Sequence, residues 1–155
     1  MELKVCHKML LTVSYLKDEF MTEITSTSRF KLIAYRIFTG ILLLQIVAGA
    51  VLDLSRNEAF ADAASHLGYP LYLLSILGIL RIAAFITILI PESGALKEWA
   101  YAGLFFEFVI ACISHIAVGD SAAQWASPLI FAMITFASWI LRPSSRKPVF
   151  KQSTT

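Results

Sequence analysis

The sequence predicts an all-α fold, a bundle of four helices that cross a membrane. Three observations carry that expectation: the composition, the four long apolar runs, and the placement of the tryptophans. Of 155 residues, 57% are hydrophobic and only 15% are charged, against roughly 25% charged in an ordinary soluble domain. A soluble chain this short cannot hide so much apolar surface, because a small domain buries a limited fraction of what it exposes. The excess requires lipid. One domain is what the length allows.

A spanning helix needs about 20 mostly apolar residues. Leu32 to Leu54 supplies the first run, Leu71 to Ile90 the second, Trp99 to Val118 the third and Ser121 to Leu141 the fourth. Each is too long for a core strand, and together they leave little else in the chain. All three tryptophans fall at run ends: Trp99 opens the third run, while Trp125 opens the fourth and Trp139 closes it. Tyr69, Tyr72 and Tyr101 are also near ends. Amphipathic rings settle at headgroup level, so this is the aromatic belt of a membrane protein. A soluble bundle has no reason to sort its indoles in this way.

Lysine and arginine in the short flanks set the expected orientation. Lys4, Lys8, Lys17, Arg29 and Lys31 precede the first run; Arg142, Arg146, Lys147 and Lys151 follow the last. The first loop sets Arg56 against Glu58 and Asp62, the second holds Lys97, and the third has Asp120 and no basic residue. Both termini are therefore expected in the cytoplasm, which requires an even number of crossings.

Helices are expected at about 32–54, 70–90, 99–118 and 122–141, within a membrane domain of 29–142. The punctuation agrees. Pro70, after Gly68-Tyr69, falls near the first helical position, where its missing N–H costs least. Pro91-Glu92-Ser93-Gly94 reads as a tight turn, Gly119-Asp120 closes the third helix, and Arg142-Pro143 stops the fourth. Pro128 lies early enough in its helix to be tolerated. Residues 1–28 form a polar leader in which Leu10, Val13, Leu16 and Phe20 share one helical face. This leader reads either as a short interfacial helix or as an extension upstream of a start at Met21. It is not a signal peptide, because charges interrupt its short apolar stretch. Residues 143–155 form a basic tail.

Ionisable groups within a membrane run cost about 2.5–3.5 kcal/mol at the centre on insertion scales. Arg81 and Glu107 are the deepest. Arg81 lies nine residues before Ile90 and Glu107 eight residues after Trp99, so both sit roughly 12–14 Å from the same boundary at ~1.5 Å per residue. An ion pair between them is expected, since either alone would be stranded. Arg36 enters the same half at a shallower level, and either joins the pair or snorkels to the surface. Gln45 is expected to hydrogen-bond across the bundle.

A second polar group gathers at the outer side: Ser114, His115 and Asp120 at the end of the third run, His66 and Asp62 before the second, and Asp53 at the end of the first. These six are expected to line a shallow vestibule, with His115 bonded to Asp120 or to a backbone group. Histidines beside carboxylates invite a metal or proton-relay reading. No HxxxH or ExxH pair shares a helical face, so no metal site is assigned. Cys6 and Cys112 lie far apart and make no CxxC, zinc cluster or disulfide framework. A net charge of +2, without a basic stripe and interleaved aromatics, gives no footprint for nucleic acid. No nucleophile–base arrangement, phosphate loop or haem signature is present, so no catalytic constellation defines an enzyme.

Several segments have a distinctive form: His66-Leu67-Gly68-Tyr69-Pro70, Ile76-Leu77-Gly78-Ile79-Leu80-Arg81, Leu89-Ile90-Pro91, Leu96-Lys97-Glu98-Trp99-Ala100-Tyr101-Ala102-Gly103 and Ser114-His115-Ile116-Ala117-Val118-Gly119-Asp120. On these the chain resembles the DoxX-like family of small bacterial membrane proteins over roughly residues 32–141. At the position of Arg81 the family often has lysine, and at Glu107 often aspartate, so charge is kept. Arg36 departs from a position where an aromatic is commoner. The resemblance implies a four-helix bundle in the inner membrane. Relatives called DoxX and DoxD are linked to thiosulfate–quinone oxidation and to membrane complexes handling thiol oxidative stress. That link does not carry over residue by residue, because this chain has no paired cysteines to relay electrons.

Three functional expectations follow. The first is an accessory, redox-associated membrane subunit that binds a quinone or a protein partner. The second is a small transporter or channel, which at four helices would act as a homo-oligomer, although no GxxxG motif marks a dimer face. The third is a structural protein with a static Arg81–Glu107 pair.

Overall fold

A computed structural model describes the backbone of residues 2–90 and 94–143 and the side chains of residues 28–90 and 94–143. The turn at Pro91-Glu92-Ser93, the tail beyond residue 143 and the apolar face of the leader therefore lie outside the described residues. Among the described residues there are five helices: α1 (Glu2–Leu54), α2 (Glu58–His66), α3 (Tyr72–Leu89), α4 (Gly94–Ala117) and α5 (Ala122–Ile140). Four of them contain segments long and apolar enough to cross a membrane: Ser28–Leu54, Tyr72–Leu89, Gly94–Ala117 and Ala122–Ile140.

The four spans close into a ring. Helix α1 packs on α3 and α5, and α4 packs on the same two. Helix α1 shows why: Tyr35, Thr39, Leu42, Ile46, Gly49 and Asp53 are all buried, at spacings of four, three, four, three and four residues. That alternation keeps one narrow stripe facing its partners. The opposite side carries Ile37, Leu44 and Val51, each more than half exposed, and α3, α4 and α5 likewise turn Ile79, Phe106 and Met133 outward. A bundle apolar on the outside as well as the inside is a membrane bundle, since only lipid satisfies the outer face.

The end where the first span begins and the last one finishes is called here the near end, and the opposite one the far end. Between them the core is layered. Near-end polar groups come first: Thr39 and Ser138 hydroxyls lie 2.7 Å apart, and Tyr101 reaches Ser138 at 3.0 Å. Next comes an apolar layer of Leu42, Ile46, Ala84, Ile88, Leu104, Phe108 and Ala132. Packing is looser toward the far end, where no residue of α5 before Ala132 is buried.

Three features depart from the sequence-based expectation, the first being that α1 begins at Glu2 and runs unbroken through the leader into the first span. The first loop contains a helix, α2, capped by Asn57, whose Oδ1 accepts from the Ala59 N–H at 3.1 Å, satisfying a first-turn donor. Helix α4 begins at Gly94, five residues ahead of Trp99. Lys97, counted as a loop cation, is consequently buried at 1% exposure on the same face as Tyr101.

Candidate functional site: a carboxylate–arginine–carboxylate cluster

Arg81 lies in the middle of α3, facing inward. Its guanidinium is placed by a gap in α1: a methyl group at Gly49 would overlap Nη1, so glycine is what lets the group lie against that backbone. A second close approach fixes the helices themselves, since a Cβ at Gly78 would come within 2.7 Å of Leu54 Cγ and 3.3 Å of the Ala50 carbonyl oxygen. With α1 drawn this close, Asp53, one turn beyond Gly49, meets the arginine. Nη1 donates to Asp53 Oδ2 at 2.7 Å. On the other side Nε donates to Glu107 Oε1 at 2.8 Å, and Nη2 donates to the same oxygen at 2.5 Å. Three helices are thus joined through one side chain. The Arg81, Asp53 and Glu107 side chains are only 10%, 2% and 16% exposed, so the hydrogen bonds are worth more than they would be in water.

Asp53 is a correction. It was expected in the outer vestibule because it ends the first apolar run. Leu54 packs on Gly78, however, near the middle of α3, so α1 stops well short of the far end. Asp62, expected in the same vestibule, is exposed on α2 and joins none of its hydrogen bonds. Arg36 is exposed and makes no ion pair with the cluster. Gln45, on the same side of α1 as Gly49 and one turn toward the near end, has a buried Oε1 that accepts no hydrogen bond among the described residues, so the expected cross-bundle bond to this oxygen is absent.

The remaining far-end residues are brought together by a pair of matching helix ends. At α2, Gly68 takes φ 78° while the Tyr69 N–H donates to the Ala64 carbonyl and the Gly68 N–H to Ser65. At α4, Gly119 takes φ 82° while the Asp120 N–H donates to His115 and the Gly119 N–H to Ile116. Both are Schellman turns, each needing a residue tolerant of positive φ. They face one another. Asp120 Oδ1 lies 2.8 Å from His66 Nε2, and its Oδ2 lies 2.6 Å from His115 Nδ1. The hydroxyls of Tyr69 and Ser114 are 2.6 Å apart. Because Ser114 Oγ already donates to the Ile110 carbonyl at 2.9 Å, Tyr69 is the donor in that pair. The hydrogen bond from His115, and then that from His66, hold the Asp120 carboxyl below its usual range.

The near end has a clasp that sequence reasoning missed. Glu98 accepts from Trp139 Nε1 at 2.6 Å and from Arg142 Nη2, while the Arg142 guanidinium lies 5.6 Å from the centre of the Tyr101 ring. The clue was Trp139 at a run end beside Arg142, with the acidic Glu98 beside Trp99.

Among the described residues, no group of three or more His, Cys, Asp and Glu is arranged to hold a metal ion. No curated protein and no solved structure matches the chain significantly. A family model does: that of the DoxX-like family matches residues 37–138, which takes in the far-end turns, Asp53, Arg81 and Glu107. The chain is a member of the DoxX-like family of membrane proteins.

Proposed function

We propose that this protein is an accessory subunit of the inner membrane whose Asp53–Arg81–Glu107 cluster binds and releases one proton, in the service of a redox-linked partner. One observation carries the reading: two carboxylates share a single guanidinium inside the spans. Arginine stays protonated in proteins, so it balances one carboxylate only. With both acids ionised the cluster would hold a net negative charge in a medium where each charge costs about 2.5–3.5 kcal/mol. One bound proton makes it neutral. A static salt bridge needs one acid; the second gives the cluster something to exchange.

Quinones take up protons together with electrons, and the residues nearby fit such a headgroup in one respect. Gln45 Oε1, one turn from Gly49, is a buried acceptor with no hydrogen-bond partner among the described residues. The apolar layer between the cluster and the near end favours a site that exchanges protons over a conduit open through one chain. The lysine and arginine bias of the flanks supports cytoplasmic termini.

Infrared spectroscopy of the protein in lipid tests the reading directly. A carboxylic-acid C=O band is expected that changes with pH, and it should be altered in Asp53→Asn and in Glu107→Gln. A spectrum with no such band at any pH at which the protein stays folded would leave only the static pair.

A further inference from the structure

The geometry points to the far end as the entrance for the proton, with His66, Asp120 and His115 as its collecting group. This rests on the cluster being a proton site, and it adds the side from which that site is reached.

The near-end route is closed. Leu42, Ile46, Ile88, Leu104 and Phe108 are each at most 4% exposed and form one contiguous layer between the cluster and the Thr39–Ser138–Tyr101 hydroxyls. The apolar side chains of this layer themselves offer a proton no acceptor, and the Gln45 Oε1 beside them is buried. The far end is built differently. Helix α5 has no fully buried residue before Ala132, so that half of the bundle is less tightly packed on one side.

The chemistry at that end is suited to collection. The His66 side chain is 53% exposed, whereas those of Asp120 and His115 are 9% and 18% exposed. The three therefore form a hydrogen-bonded path from solvent inward, from His66 Nε2 to Asp120 and on to His115 Nδ1. Imidazole is the side chain whose ordinary pKa lies nearest neutrality. An aspartate that stays ionised beside it attracts protons without retaining them. His115 stands eight residues beyond Glu107 on α4, about 12 Å along the axis. Ala111, one turn beyond Glu107, presents only a methyl group between them, so the proton crosses this stretch through water.

The other charged groups do not compete. Asp62 and Glu58 on α2 and Arg56 before it are exposed. Helix α3 contributes only Arg81, and α5 has no charged side chain.

The test is a pH jump on the protein in lipid nanodiscs, where both ends meet buffer, with the carboxyl infrared band followed in time. His66→Gln keeps a donor for Asp120 but removes the imidazole. It should slow protonation of the band several-fold, and the double variant His66→Gln/Asp120→Asn by at least about tenfold. Final amplitude should be unchanged. Ser138→Ala, at the near end, should keep the wild-type rate. A wild-type rate in His66→Gln, or equal slowing by Ser138→Ala, would overturn the far-end entrance while the titrating band itself still stands. Absence of a titrating band in the unmodified protein would instead remove the proton site and the entrance with it.

Discussion

Gly49 and Arg81 occupy one space between them: the guanidinium of Arg81 fills the position that a side chain at residue 49 would take. The consequence is asymmetric. Glycine within a helix costs roughly 0.5–1 kcal/mol relative to alanine, and here that cost secures an ion pair across α1, α3 and α4.

The first prediction follows from this contact. Gly49→Ala should push the guanidinium off α1 and part it from Asp53, leaving a buried carboxylate without its cation. Losing one partner of a buried pair costs about 3–5 kcal/mol. Gly40→Ala is the control, because nothing lies within 4 Å of a Cβ there; it should be neutral or stabilising by up to about 1 kcal/mol. Thermal unfolding in detergent compares the two. Equal midpoints would mean that Arg81 has no need of the Gly49 gap.

Charge removal distinguishes stability from function. Arg81→Met strands two carboxylates and should destabilise by about 3–5 kcal/mol. Adding Asp53→Asn and Glu107→Gln to it removes the stranded charge, so the triple variant should recover much of that loss. If the triple variant folds well and supports its membrane partner as the native chain does, the cluster is structural and the proton reading fails.

How much of this was legible in the sequence depends on which physical signal carried it. The four spans follow from length and composition, which tertiary context hardly alters. The meeting of Arg81 and Glu107 follows from counting residues to a shared boundary, since helix rise is constant. Asp53 did not follow, because the end of an apolar run was equated with the membrane surface. The stripe Tyr35–Thr39–Leu42–Ile46–Gly49 continues in step to Asp53 and would have placed it inward. Helix α2 was missed because Glu58-Ala-Phe-Ala-Asp-Ala-Ala-Ser-His66 is short and only weakly apolar. Its signals were local: a capping Asn57, an acidic first turn and Gly68 just past the end. The burial of Lys97 was unreadable for a related reason, as a lysine beside a turn looks like any solvated cation until the helix is seen to begin at Gly94.

At the near end, Glu98 holds Trp139 and Arg142 together. Glu98→Ala should leave the buried Arg142 without its carboxylate, at a cost of about 1–3 kcal/mol, and should free the Trp139 indole. A lowered unfolding midpoint with a shifted tryptophan emission is expected. Trp139→Phe should abolish the emission change without reproducing the whole stability loss, because the arginine keeps its partner.

The far-end turns give a pH dependence whose sign can be worked out. Hydrogen bonds from His115 and His66 lower the folded-state pKa of Asp120 below its ordinary value, which is about 3.9 in an unfolded chain. The unfolded state therefore binds the proton first as pH falls, and stability rises with pH through the interval between the two values. The contribution of Asp120 is fully present above the ordinary value and is lost as pH drops through the folded one. Unfolding midpoints of the native chain and of Asp120→Asn should differ by a constant amount from neutrality down to about pH 5, then converge on further acidification. A difference that grows steadily below pH 4 would mean that Asp120 is not held in its charged form by the two rings.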